Sequence, residues 1–280
     1  MYSIYHFYES LIENKKYFLI ENKLEDFPFN ESQLSCRNKG TFPDMAIRLN
    51  TSREIFTGGE LIELKDSNSY TVASFNSTIP SGKNEMTKII TGETSNIKQQ
   101  MEEKGEDIYS LTIRDVFYLV RGKKNRNVKV CLVYGSFFET IRVEDLISQS
   151  FLQVLEERLR DRGESFDEDV KKKLLTILSE QQSFSKVRDV KKASVKFRFR
   201  VMTEVKAEGN ILNPRKYPEI KDNTLNLILP CHNDSEIESL SKKMQIVFND
   251  KIGSFRTFKI KHHFNGYFLV FQTELGSRTA

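Results

Sequence analysis

Asp44, Glu63 and Lys65 are the residues of this chain whose types and spacing could do chemistry together. They lie in the stretch FPDMAIRLNTSREIFTGGELIELKD, where Pro43-Asp44 opens one apolar run and Glu63-Leu64-Lys65 sits inside a second. Two hard carboxylate oxygens, with a backbone carbonyl such as that of Leu64 between them, suit Mg²⁺, which takes few protein ligands and keeps several waters. A cation held this way lowers the pKa of a bound water and stabilises charge on a phosphate oxygen. A nearby lysine can orient the attacking water, take its proton, or balance phosphate charge.

Two strands must position these groups. Met45, Ile47 and Leu49 alternate with Ala46 and Arg48, which is the period of an extended segment. Gly58-Gly59 marks a break, and Glu60 to Lys65 resumes the extended pattern. Successive side chains on a strand face opposite ways, so Glu63 and Lys65 share one face while Ile62 and Leu64 point into a core. If the two strands pair, Asp44 lies beside Glu63. The triplet Glu-x-Lys alone says little, because it recurs at Glu13-Lys15, Glu21-Lys23, Glu204-Lys206 and Glu219-Lys221. Only Glu63-Lys65 follows a Pro-Asp, and no other Pro-Asp occurs. Glu204-Val205-Lys206 is the serious rival, since it ends a strand-like run with Asp189 upstream. The alternative these residues leave open is a turn capped by Asp44 and a solvated strand face bearing Glu63 and Lys65.

Pro-Asp, a variable spacer and Glu-x-Lys together resemble the signature of the PD-(D/E)XK nuclease superfamily, and within it the type II restriction endonucleases. The resemblance covers residues 30–138 and implies an α/β (α+β) core, a central mixed β-sheet flanked by helices. It implies Asp44 and Glu63 as ligands of Mg²⁺, together with the Leu64 carbonyl, and Lys65 as the catalytic lysine. An acidic residue on a preceding helix often completes such a site, and Glu31 is the candidate here. The implied reaction is hydrolysis of double-stranded DNA at a specific sequence, leaving 5′-phosphate and 3′-hydroxyl ends, by a homodimer with one active site per strand. Two other readings stay open: a structure-specific repair or recombination nuclease of the same superfamily, and a non-catalytic DNA-binding protein.

Charge distribution bears on the partner. The net charge is only +4, but Lys186, Arg188, Lys191, Lys192, Lys196, Arg198 and Arg200 crowd one stretch against the single acid Asp189. There Val195, Phe197, Phe199 and Val201 alternate with Lys196, Arg198 and Arg200, giving a strand with one apolar and one basic face. A second cluster, Arg121, Lys123, Lys124, Arg126 and Lys129, brackets a turn. Such faces attract phosphate backbones. After the motif strands, the loop from Asn76 to Asn84 offers Asn76, Ser77, Thr78, Ser81 and Lys83, side chains able to hold phosphates or read base edges.

The remaining pattern is mixed. Residues 1–25 read as a helix with Ile4, Phe7, Tyr8, Leu11 and Ile12 on one face; 31–36 suggest one further turn. Strands are expected at 70–75, 115–121, 127–135, 194–206 and 224–229, and helices at 96–105, around 146–159 and at 235–248. Asn265-Gly266 between 256–264 and 267–273 signals a hairpin. The expected division is a nuclease core at 1–140, a helical connection at 141–190 and a C-terminal α+β lobe at 191–275 for DNA binding or dimerisation. With no apolar run of transmembrane length and no charged-then-apolar leader, a cytoplasmic protein away from membranes is expected. Cys36, Cys131 and Cys231, odd in number and widely spaced, suit reduced thiols. Cys231, His232, His262 and His263 lack zinc-finger spacing, and no dinucleotide fingerprint, phosphate-cradling glycine loop or nucleophile elbow appears, so no organic cofactor is expected.

Overall fold

Strand β5 (Ile113–Lys124) carries the alternation from which the sheet is built, with Val116, Tyr118 and Val120 facing one way and Phe117 and Leu119 the other, all buried. The structure, a computed structural model, describes residues 2–29, 33–35, 42–48, 58–72, 81–89, 96–103, 105, 110–139, 153–165, 167–170, 173, 184–190, 193–199 and 209–276. The other strands are β1 (Gln33–Ser35), β2 (Met45–Ile47), β3 (Leu61–Ser67), β4 (Lys83–Glu85), β6 (Asn127–Tyr134), β7 (Phe184–Val190), β8 (Ala193–Phe199), β9 (Thr224–Pro230), β10 (Arg256–His262) and β11 (Gly266–Glu274). The helices are α1 (Ser3–Glu13), α2 (Tyr17–Ile20), α3 (Met86–Ile89), α4 (Asn96–Glu103), α5 (153–160) and α6 (Asp234–Phe248).

One mixed sheet runs in the order β1-β2-β3-β5-β6-β9-β11-β10, with β4 paired to the start of β5. The β3–β5 and β6–β9 pairs are parallel and the others antiparallel. Both faces are covered, which is why its inner strands are apolar on both sides. On one face Ile4, Tyr8 and Leu11 of α1, Phe18 of α2 and Met244 and Phe248 of α6 pack on Phe117, Leu132, Leu227 and Phe271. On the other, Met86, Met101, Phe137, Phe138, Leu212 and Tyr217 pack on Tyr118, Val133, Ile228 and Val270. The expected α+β class, a mixed sheet flanked by helices, is what the chain adopts.

The division of the chain differs from the expected one. Contacts gather Met1–Glu139 with Ala207–Ala280 into one compact unit and Thr140–Lys206 into another. The strands of 224–274 form no separate lobe; β9 pairs in parallel with β6 and carries β11 and β10 onto the same sheet. Hydrophobic period specifies that a segment is a strand, not which edge it joins, so the pattern could not show this. The second unit contains α5 and the β7–β8 hairpin, whose first strand went unnoticed because its basic residues read as surface.

Local corrections have local causes. The helix expected over 1–25 stops at Glu13, where Asn14 turns its side-chain amide back onto the Ser10 carbonyl, and a short α2 follows. Residues 33–35 form a strand on β2 and not a helical turn. Residues 70–72 are not a strand; Asn210 takes up the Tyr70 carbonyl and the Val72 amide instead. The last hairpin turns through 263–265, with Gly266 at φ 82° already paired to His262, so it has a three-residue loop and no two-residue Asn-Gly turn.

Two of the five members of the basic cluster around the β5–β6 turn, Arg121 and Lys129, are structural. Arg121 is fully buried. Its Nε and Nη2 donate to Asp66 at 2.9 and 2.5 Å, and the guanidinium also donates to the Phe18, Glu21 and Asn22 carbonyls at 3.0–3.3 Å. Lys129, 2% exposed, donates to the Ile220 carbonyl at 2.7 Å and sits 4.8 Å from the Tyr70 ring centre. Only Lys123, Lys124 and Arg126 of that cluster reach the surface. Because removal of Arg121 takes the ion-pair partner from Asp66, which keeps only the Leu24 amide as a hydrogen-bond donor, and takes this donor from the Phe18 and Glu21 carbonyls, Arg121→Leu should cost about 3–5 kcal/mol in urea unfolding. A loss below about 1 kcal/mol would show that water replaces it readily.

Candidate functional site

Three local features bring Asp44, Glu63 and Lys65 together. The antiparallel pairing of Met45 with Ile62 and Ala46 with Leu61 carries Asp44, just before β2, alongside Glu63. The Leu64 amide donates to Asp44 Oδ2 at 2.7 Å, which fixes the orientation of that carboxylate. Strand alternation puts Glu63 and Lys65 on one face, and Lys65 Nζ donates to Glu63 Oε1 at 2.7 Å. The three residues that the sequence singles out thus form one cluster at the β2–β3 pair.

The cluster is not a solvated strand face. Glu63 is only 6% exposed, and its Oε2 is enclosed with no hydrogen-bond donor among the described residues. Burial, with the Asp44 carboxylate beside it, pushes the Glu63 pKa from 4.5 up to about 7 against the pull of Lys65. Burial also raises Asp44, opposed by the Leu64 amide, by Lys65 and by Glu63. Without a cation, burial favours a proton on the Glu63 carboxyl up to about pH 7. Burying a charge that nothing pairs is costly, and a proton or a cation removes that cost.

Two carboxylates side by side, one with an enclosed and unmatched oxygen, fit a hard divalent cation with few protein ligands. Asp44 and Glu63 would hold Mg²⁺, together with the carbonyl of Leu64, the residue that follows Glu63. Among the described residues no group of three or more His, Cys, Asp and Glu gathers anywhere. Two features escaped the sequence reading. Glu25, in the turn Leu24–Asp26, carries a charge that raises the Asp44 pKa, so an acid from the helical segment does reach the site electrostatically. Tyr118 faces Glu63 across the parallel β3–β5 pair and is nearly fully buried. The first lacked a periodic signal in a turn, and the second read as an ordinary core aromatic.

The remaining candidates are dispersed. Ser81 donates to the Lys83 carbonyl at 2.8 Å, and Lys83 is exposed at the start of β4. Lys196 and Arg198 lie two apart on β8, in register with Val187 and Ser185 of β7, as a shared strand face requires. Glu31, Asn76, Ser77, Thr78, Arg200 and the rival pair Glu204 and Lys206 lie outside the described residues. Cys131 and Cys231 are buried free thiols. His262 is buried and its Nδ1 accepts from the Phe264 and Asn265 amides, which ties it to the hairpin loop. Among the described residues no helix is long and apolar enough to cross a membrane. Comparison with family models, with curated proteins and with solved structures finds no match for this chain.

The raised Glu63 pKa has a definite sign in stability. Between pH 4.5 and about 7 the folded state holds a proton that the unfolded chain has released, so stability falls as pH rises through this window and is level above it. Glu63→Gln removes that penalty, so the metal-free variant should exceed the parent by up to about 3 kcal/mol at pH 8 and match it near pH 4. Urea unfolding at both values checks this; an equal difference at the two would mean that Glu63 titrates normally.

Proposed function

We propose that the chain is a Mg²⁺-dependent endonuclease that hydrolyses phosphodiester bonds of double-stranded DNA, of the type II restriction kind. The observation that carries this reading is the gathering of Asp44, Glu63 and Lys65 at one strand pair, with an enclosed Glu63 oxygen that a cation would satisfy. When bound, Mg²⁺ would supply Lewis-acid stabilisation of phosphate charge and a more acidic water.

The chain's own residues would do the rest. Asp44 is held by the Leu64 amide and cannot swing away, so its carboxylate is preorganised. Lys65 is held against Glu63 and stays near the cluster; its ammonium would steady negative charge on the scissile phosphate or position the attacking water. Water oxygen bonds to phosphorus while the bond to the 3′-oxygen breaks; the attacking water gives up a proton to solvent and the leaving 3′-oxygen takes one from solvent, which leaves a 5′-phosphate and a 3′-hydroxyl. The basic alternation of β8 offers phosphate contacts distinct from this chemistry. A second copy of the chain would serve the second strand.

Incubation with plasmid DNA and Mg²⁺ tests the reading directly. Discrete fragments support a sequence-specific enzyme, nicking confined to branched or damaged DNA supports a repair nuclease, and binding without cleavage at any Mg²⁺ concentration refutes catalysis. Asp44→Ala, Glu63→Ala and Lys65→Ala should each slow cleavage by at least about 100-fold, equivalent to roughly 3 kcal/mol of transition-state stabilisation, with DNA affinity retained. Near-parental cleavage by any of them would move the site elsewhere. Replacing Lys196, Arg198 and Arg200 by alanine should weaken binding to all sequences and lower the salt slope by about one unit per lost phosphate contact.

A further inference from the structure

The hairpin of β10 and β11 forms the edge of the sheet opposite to the β1–β2–β3 end. From Arg256 to Thr273 it carries Arg256, Lys259 and Lys261 and no aspartate or glutamate. Strand alternation puts Thr257, Lys259 and Lys261 on one face, in register with Phe271, Leu269 and Tyr267 of β11. Leu269 and Phe271 belong to the core under α1 and α6, whereas Leu61, which shares its face with Glu63, belongs to the opposite core. The two lysines therefore lie on the other face of the sheet from the Asp44–Glu63–Lys65 cluster. Their ammoniums gather on one aromatic ring: Lys261 Nζ is 5.6 Å and Lys259 Nζ 6.0 Å from the centre of Tyr267, which is 46% exposed. The backbone under that ring is fixed, since the Tyr267 carbonyl accepts the Cys231 amide at 2.9 Å. Asp234, 4.0 Å from Lys259, is 97% exposed and offsets little of the charge.

Lysines on an edge strand guard against pairing with another sheet, which accounts for the charges but not for the exposed ring between them. A second copy is a poor occupant of this edge, because β10 paired with β10 would bring the lysines of both copies onto one face. We propose that Lys259, Lys261 and Tyr267 bind the phosphodiester backbone of nucleic acid, the ring keeping two ammoniums together where adjacent phosphates can meet them. Two residues along the strand span about 6.8 Å, so both charges reach one stretch of backbone. Cations beside an aromatic ring are the pairing that nucleic acid rewards, phosphates on the charges and a base or sugar against the ring. This surface is separate from the proposed reaction site and does not rest on catalysis there.

Fluorescence anisotropy in EDTA, with a labelled DNA duplex and with one of its strands alone, tests the surface without any cleavage. In the double variant Lys259→Gln/Lys261→Gln the dissociation constant should rise at least about fivefold, and the salt slope should flatten by about 0.9 for each of the two contacts. Tyr267→Ala should weaken binding with the salt slope nearly unchanged, because it removes no charge. A loss on the duplex assigns the surface to paired DNA, and a loss on the single strand alone assigns it to unpaired nucleic acid; both support the proposal. Lys221→Gln/Lys242→Gln removes the same charge from exposed positions elsewhere on this unit and should change affinity by less than about twofold. Unchanged binding in the hairpin variant, or an equal loss in this second variant, would overturn the proposal. So would an equal loss of affinity for polyglutamate, which would assign the face to acidic protein. A hairpin variant that loses binding while the parent never cleaves would leave this surface standing and remove only the nuclease reading.

Discussion

The guanidinium of Arg121 is the junction through which the sheet and its N-terminal cover are joined. It projects from the later part of β5, meets Asp66 near the end of β3, and accounts for the backbone carbonyls of Phe18, Glu21 and Asn22. Asp66 in turn accepts the Leu24 amide at 3.0 Å. Asp66 follows Lys65 directly, so the ion pair also holds the end of the strand that presents Glu63 and Lys65. The turn that carries Glu25 is tied down by the same contacts. A buried pair of this kind adds little net stability compared with apolar packing, because desolvation consumes much of the attraction. Its contribution is geometric, since five donors in a rigid fork admit one arrangement of their acceptors.

The site sits where two demands conflict. A carboxylate enclosed enough to bind a cation strongly is one that the cation-free fold must bury at a cost. The chain meets this with partial remedies: a proton kept on Glu63 to about pH 7, the Lys65 ammonium on Oε1, and the Leu64 amide on Asp44. Glu60, just before β3 and three residues ahead of Glu63, is another buried acid, raised by burial and satisfied on one oxygen by the Ser3 hydroxyl. Its presence shows that enclosure alone does not single out the site. What does is the combination of enclosure with a second carboxylate and a lysine.

Much of this was legible in the residues, for reasons that can be named. The strand period fixed the shared face of Glu63 and Lys65, and the Pro-Asp before β2 fixed Asp44 at the end of the hydrogen-bonded register. The helices at 96–103 and 234–248 lie where the residues placed helices, and the latter is capped by a pair in which Asn233 accepts the Glu236 amide while Glu236 accepts the His232 amide. Charge was misread where burial decided its role. Arg121 and Lys129 look like neighbours of Lys123 and Lys124 in sequence, but strand alternation sends them into the sheet's two covered faces. Tyr118 and Glu25 left no local trace, because their relation to Glu63 and Asp44 exists only across strands or between a turn and a sheet.

The way the sheet is threaded has a kinetic meaning. The chain completes β1 to β6, leaves to build the unit of residues 140–206, and returns to lay β9 in parallel against β6. Parallel neighbours so distant in sequence form late, since the intervening chain must be brought end to end before any contact rewards the closure. The entropy of that closure grows only logarithmically, about 0.6 kcal/mol for each doubling of loop length, so the excursion itself is thermodynamically mild. The delay falls on β9, β11 and β10, whose apolar faces stay open until β6 is found. During synthesis the half bearing Asp44, Glu63 and Lys65 emerges ahead of the C-terminal strands that complete its core.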